Sequence, residues 1–295
     1  MAWLGHILNM TAIERPNPGF LRSPSAQKVL AEHAGDAAFA TTLGRGLVVL
    51  EAFDVGGALL GNADLAARTG ISRPTVARLT HTLAELGYLR YDWKRSKYRL
   101  GARALRMAHP LLAGMEFRQA ARPLMQELAQ SVRGTVSIGL LDGASAIYVE
   151  TARSGDVGTH VPDIGMPIPV ILTAMGRASA ATLPAVEFAL LEQCLKSDNP
   201  DIWSAYRDKY HAGVRQCAER GFCTCYGEYM ATIHAVAAPL FYAPTLKQSF
   251  AINCGIPAFR LQSGQLESEI GPRIKALADS IRSLVNEAGP MIAHN

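Results

Sequence analysis

GNADLAARTGISRPTVARLTHTLAELGYLRYDWKRSKYRLG, residues 61–101, reads as two short helices, a tight turn between them and a basic hairpin. Asn62 is the expected N-cap of the first helix, because its side-chain oxygen can accept from the unpaired N–H groups of a first turn. Leu65 and Ala66 supply an apolar stripe, and Thr69-Gly70 stops the helix where glycine tolerates positive φ. Ile71 follows as an apolar plug. Ser72 caps the second helix, and Pro74 falls in its first turn, where a missing N–H costs little. Val76, Leu79, Leu83 and Leu86 recur at three- and four-residue spacing, which defines one apolar face. Arg73, Thr75, Arg78 and His81 fill the opposite face, and Gly87 ends the helix. Two helices joined by a short glycine turn, the second with a polar outer face, form the helix-turn-helix pattern, whose second helix reads base edges in the major groove.

Beyond the helices, Tyr88 to Tyr91 and Lys97 to Leu100 alternate as short strands around a turn of Asp92, Trp93, Lys94 and Arg95. This is a wing whose lysines and arginines can rest on phosphates. A small helical bundle with a solvated charged face competes for the helices alone. Caps, turn, plug and wing in that order favour DNA.

Upstream, LGRGLVVLEAF at residues 43–53 is helical, with Leu43, Leu47, Leu50 and Phe53 on one predicted inner face. It completes a three-helix winged domain, and Arg45 projects from its start towards a phosphate. Residues 1–40 hold proline breaks and little periodicity, which suits an arm with at most a short helix near Gln27 to His33. The first ten residues lack the basic start and cleavage site of a signal peptide, and Met10 offers an alternative start.

Charge follows the same division. Residues 41–112 hold eleven Lys/Arg against five Asp/Glu, whereas residues 113–295 hold fifteen against seventeen. Positive charge therefore gathers on the winged segment, where phosphate neutralisation would use it. With 49% hydrophobic and 18% charged residues, the composition is that of an ordinary globular protein long enough for two cores. No apolar run approaches the roughly 18 residues of a membrane span, so a cytoplasmic location with no membrane partner is expected.

The second half mixes helices and strands. After a helical run at 102–117 and another to Val132, Val136 to Leu141 and Ala146 to Glu150 alternate around an Asp142-Gly143 turn. Residues 151–170 read as irregular, and helices are expected at 173–183, 184–195, 202–220 and 262–286. Residues 222–226, 233–241 and 249–254 are strand-like. The simplest assembly is an α+β domain: one twisted sheet with helices mainly on one face and a pocket near the loops at 151–175 and 222–230.

Five cysteines, an odd number, give no disulfide framework. Cys223-x-Cys225 with His234 nearby permits a metal reading, but the spacing suits buried free thiols better. No G-x-S-x-G elbow, H-E-x-x-H, phosphate loop or dinucleotide fingerprint is present, so neither an enzyme nor a cofactor is expected.

LGRGLVVLEAF, LAARTGISRPTVARLTHTLAELGYL, the YRLG after the wing, SIGLLDGASAIYVE, TAMGRA and IHAVAAPLF occur in that order. The set resembles the isocitrate lyase regulator (IclR) family of bacterial transcription factors over residues 41–286. TAMGRA and the strand FAINCGIPAFR are most similar to the subgroup governing aromatic-acid breakdown. The resemblance implies an N-terminal arm (1–40), a winged helix-turn-helix domain (41–101), a linker helix (102–117) and a GAF-like effector domain (118–290). It also implies a homodimer or dimer of dimers on palindromic operator DNA, and an aromatic or other small carboxylate as effector.

DNA contacts are then expected from Ser72, Arg73, Thr75, Arg78 and His81, with Arg45, Lys94, Arg95 and Lys97 on phosphates. Effector contacts carried over from the family fall on Val157, His160, Ala174, Met175, Cys225, Ile233, Ala235, Asn253 and Gly255. His160 reads either as a carboxylate partner or as a solvated loop residue. Asn253 reads either as a ligand contact or as a strand residue bonded to backbone. A DNA binder without a ligand remains the alternative to a sensor.

Overall fold

The computed structural model describes residues 30–53, 59–155 and 162–287. Expectations for most of the arm, for Val157 and for His160 lie outside them. The chain divides between Gly114 and Met115 into two compact units.

The first unit contains α1 (Thr41–Glu51), α2 (Asn62–Thr69), α3 (Arg73–Glu85), strands β1 (Leu89–Asp92) and β2 (Lys97–Leu100), and α4 (Ala102–Ala113). Val49, Ala52, Leu60, Leu65, Val76 and Leu79 form its core, with Ile71 and Leu83 packed against them. Gly70 takes the left-handed conformation at the turn (φ 68°), the role expected of it.

Two local readings need correction. Gly61, not Asn62, is the N-cap of α2: the Gly61 N–H donates to Asp64 Oδ2 at 2.9 Å. Asn62 lies inside the helix, where its Oδ1 accepts from the Thr80 hydroxyl at 3.0 Å and ties α2 to α3. On α1 the buried positions are Gly46, Val48 and Val49, while Leu43 and Leu47 stand 65% and 43% exposed. The helix is apolar on several sides, so periodicity alone does not choose the inner one.

β1 and β2 pair from Leu89↔Leu100 to Asp92↔Lys97. Asp92 organises the turn between them, its Oδ1 accepting from the Lys94 and Arg95 N–H groups at 3.0 and 3.1 Å. Leu60 and Tyr98 exchange two backbone hydrogen bonds (3.0 and 2.8 Å), which fasten the wing to the chain entering α2. The next helix ends at Ala113, short of the 117 expected, and Phe117 instead opens α5 (Phe117–Val132).

The second unit is built on a six-stranded antiparallel sheet in the order β5-β4-β3-β8-β7-β6. Its strands are β3 (Thr135–Asp142), β4 (Ser145–Arg153), β5 (Pro167–Pro169), β6 (Cys223–Tyr226), β7 (Ile233–Ala243) and β8 (Gln248–Pro257). β5 occupies part of the stretch expected to be irregular. α6 (Ala174–Ala180), α7 (Ala185–Asp198), α8 (Pro200–Arg220) and α9 (Gly271–Glu287) complete the unit, the last entered through a π-turn at Leu266–Ile270.

Helices cover both faces of this sheet rather than mainly one. Along β8, Phe250 meets Phe117 of α5 edge-on at 5.4 Å, and α9 packs against β7 and β8. The alternate residue Ala251 belongs to the opposite layer, with Met175 and Ala178 of α6 and Cys217 of α8. α6 lies very close to its neighbours. A Cβ on Gly176 would fall 2.2 Å from Val170 Cα, so only glycine fits there. Thr173 caps α6, accepting from the Gly176 N–H at 3.2 Å while donating to the Pro169 carbonyl at 2.7 Å.

Candidate functional site

Each unit presents one candidate surface. On the first unit, Arg73, Arg78 and His81 lie exposed along α3, and Thr75 is half-buried. Ser72 sits at the N-cap, but its hydroxyl bonds Thr75 Oγ1 at 2.9 Å instead of the helix backbone. Arg45 is exposed near the start of α1.

The wing cations are not equivalent. Arg95 Nη1 pairs with Asp92 Oδ2 at 3.0 Å, and Lys97 Nζ pairs with Asp64 Oδ2 at 3.1 Å. Lys94 instead lies over the ring of Trp93, a residue 75% exposed at the tip. The N–H of Gly61 and the Lys97 ammonium hold the Asp64 carboxyl below the ordinary carboxylate range. Asp64 therefore stays ionised at neutral pH and holds helix and wing together.

In the second unit, a pocket opens on the α6 side of the sheet and encloses about 650 Å³ of empty space, part of it continuous with solvent. Thr135 and Ser137 of β3, Tyr148 of β4, Ile233 and Ala235 of β7, and Asn253 and Gly255 of β8 form its floor. Leu172, Thr173 and Ala174 at the start of α6, with Cys225, Tyr229 and Met230, close the sides. Strand register explains the grouping. Asn253 pairs with both Ser137 and Ala237, and Gly255 with both Thr135 and Ala235, so two neighbouring rows on one face run across three strands. The wall is mostly apolar with a few polar groups, the composition of a small-molecule site.

Those polar groups are deeply set. Burial pushes the Tyr148 hydroxyl up strongly, and neighbouring Tyr229 adds to this, while a hydrogen bond from Asn253 opposes it. Burial likewise pushes Tyr229 up to about 12. Both phenols are protonated at neutral pH. Cys225 is pushed up to about 12, first by burial, so it is a thiol rather than a thiolate. Its Sγ donates to the Leu172 carbonyl at 3.2 Å and also meets the Glu228 carboxylate. Cys223 Sγ donates to the Ala174 carbonyl at 3.4 Å. Among the described residues no three His, Cys, Asp or Glu side chains converge as a metal site.

Behind Cys225, Glu228 faces Arg177 (3.6 Å) and Lys209 (3.8 Å). Arg177 is 2% exposed and donates to the Ile171 carbonyl at 3.2 Å. A charge this deep needs such partners.

Residues 42–92 match the IclR helix-turn-helix domain, and residues 109–283 match the bacterial transcriptional regulator IclR C-terminal domain. The chain belongs to the IclR family of bacterial transcriptional regulators. An IclR family transcriptional regulator from Brucella abortus superposes with a TM-score of 0.76 at 34% identity, covering 85% of this chain and 94% of that one. The HTH-type transcriptional regulator TsaQ1/TsaQ2 of Comamonas testosteroni is 27% identical over 251 residues, 84% of this chain and 90% of that protein. The p-hydroxybenzoate hydroxylase transcriptional activator of Acinetobacter baylyi is 26% identical over 253 residues, 82% of this chain and 91% of that protein.

Of the effector positions suggested by the IclR resemblance, Ala174, Cys225, Ile233, Ala235, Asn253 and Gly255 share one pocket wall. Met175 does not join them. It is fully buried under the sheet, where its Sδ would lie 2.1 Å from a Cβ on Gly139. Tyr148, Tyr229 and Thr173 line the same pocket without having been singled out in the sequence. Tyr148 belongs to a strand covered on both faces, where residues of either phase are buried and alternation gives no direction.

Proposed function

We propose that this IclR-family chain is a sensor that couples an aromatic carboxylate to transcription of a catabolic operon. The observation carrying this reading is a pocket-bearing unit joined in one chain to a unit whose exposed α3 presents Arg73, Arg78 and His81. The relative that activates p-hydroxybenzoate hydroxylase expression supports the aromatic class. Arg73, Thr75, Arg78 and His81 read bases, and Arg45, Lys94, Arg95 and Lys97 hold phosphates. The pocket wall at Ala174, Cys225, Ile233, Ala235, Asn253 and Gly255 receives the effector. Ligand alters operator occupancy by binding two arrangements of the protein with different affinity.

The protein acts in the cytoplasm as a homodimer or dimer of dimers. α4 supports a self-association surface: at about 100° per residue, Leu105, Ala108, Leu111 and Leu112 share an arc opposite Arg106, and none of the helix is buried. The second unit has no enzymatic role. Its pocket thiol is protonated and not activated as a nucleophile.

Footprinting on DNA flanking the chain's own gene tests the reading, with a protected palindrome expected. Its absence overturns DNA-directed control. A thermal-shift screen of aromatic and aliphatic carboxylates then separates a sensor from a ligand-independent binder, since a ligand in excess of its Kd raises the unfolding temperature. Turnover of any such acid by the purified protein overturns the non-enzymatic role.

A further inference from the structure

Between Leu89 and Leu100 the wing carries five cations, Arg90, Lys94, Arg95, Lys97 and Arg99, against one carboxylate, Asp92. Three of the five are accounted for: Arg95 pairs with Asp92, Lys97 with Asp64, and Lys94 lies over the Trp93 ring. Arg90 and Arg99 are not. Among the described residues, neither side chain has a hydrogen bond or an ion pair. The two stand directly opposite each other, in register across β1 and β2, and both are exposed. Alternation separates them from Tyr91 and Tyr98, whose rings meet at 4.8 Å on the other face of the hairpin, the face that also carries fully buried Leu89. The nearby carboxylates are committed elsewhere. Asp92 Oδ1 accepts from the Lys94 and Arg95 N–H groups, and Asp64 Oδ2 accepts from the Gly61 N–H and from Lys97.

Opposed residues in an antiparallel pair have Cβ atoms about 4.5–5.5 Å apart, and like charges placed so destabilise the strands. A guanidinium cannot escape by losing its proton, and it has donors only. The pair therefore costs the free hairpin stability while presenting two forks of donors side by side. An anion with several acceptor oxygens satisfies both forks, and phosphate meets a guanidinium with paired hydrogen bonds. For a helix-turn-helix unit, the anion at hand is a backbone phosphate of the duplex.

We propose that Arg90 and Arg99 clamp a single DNA phosphate between them. This rests on the DNA-binding reading above and adds to it a phosphate site that carries no sequence information. The phosphate offsets the repulsion that the free hairpin carries, so the same two side chains weaken the wing alone and strengthen the complex.

Fluorescence anisotropy of a labelled random-sequence duplex across a salt series tests this, using full-length wild type, Arg90→Gln, Arg99→Gln and the double variant. Each single variant should bind more weakly yet keep the wild-type salt slope, because the remaining arginine still displaces the counterion, and the double variant should have a slope shallower by about 0.9. Single variants each shallower by about 0.9, with the double shallower by about twice that, put the arginines on separate phosphates and overturn the clamp. A double variant that binds like wild type overturns it too and leaves DNA binding by the chain standing. A wild type that does not bind the duplex overturns both. Hydrogen exchange without DNA is the second readout. In low salt the β1–β2 amides of either single variant should be about 1.5- to 5-fold better protected than those of wild type, a gain lost in ~1 M salt, where the Debye length falls to about 3 Å. Equal or lower protection in both single variants overturns the strained pair on which the clamp depends.

Discussion

Arg78 and Lys94 have similar charge but different prospects on DNA. Arg78 projects from the α3 face, where a fork of donors can meet a guanine edge, and Lys94 sits at the wing tip beside Trp93. Arg78→Ala should therefore relax operator discrimination by about 1–3 kcal/mol. Lys94→Ala should weaken operator and random DNA alike and reduce the salt slope of binding by roughly 1. Fluorescence anisotropy across a salt series checks both. Arg95→Ala should lose less than Lys94→Ala, since Arg95 is already paired with Asp92. Single residues were only partly legible in the sequence. Asn62 looked like a cap, yet the neighbouring backbone lets Asp64 reach the Gly61 N–H and leaves Asn62 for Thr80. Cap choice among nearby polar residues depends on where the next helix lies, and that contact is non-local.

At the scale of elements, the helix-turn-helix and wing could be read almost whole, because their caps, turn glycine and short-range periodicity are local signals. The inner face of α1 could not, since Leu43, Leu47, Val48 and Val49 are all apolar and only the packed partner selects Val49. The second sheet gave up five of its six strands, all but β5, and did not give up its layers. Alternation marks a solvent face only when one exists, and this sheet has helices on both sides. α6 illustrates the consequence: its small residues are required by contact, not by helix propensity. Gly176→Ala should destabilise the second unit by about 1–3 kcal/mol or more, because the added methyl meets Val170 backbone atoms that cannot turn away. A lower urea midpoint with unchanged slope would register this. On α4, the double change Leu105→Glu with Leu111→Glu should turn the assembly to monomer, as followed by light scattering, with both residues exposed in the single chain.

For the whole molecule, the buried thiols and phenols set a limit at alkaline pH. Cys225, Cys254 and Tyr229 are each pushed up to about 12, chiefly by burial. In the unfolded chain such thiols ionise near pH ~8.5, so the unfolded state loses protons first as pH rises. Stability from these groups is complete below that value and declines as pH climbs towards 12. The urea midpoint should fall between pH 8 and pH 10, and a constant midpoint across that range would contradict this account of the core. The same protonated thiols should resist iodoacetamide in the native state, leaving the half-buried Cys194 as the first to label.

The Lys97–Asp64 pair and the double hydrogen bond between Leu60 and Tyr98 have a consequence for speed. Because both fasten the wing before any DNA arrives, the wing itself needs no ordering during encounter. Association with operator and with unrelated DNA should then proceed at similar, electrostatically assisted rates, and the two should differ almost entirely in how long each complex lasts. Severing the tether with Asp64→Ala would shift part of the discrimination into the association step, which stopped-flow mixing can time.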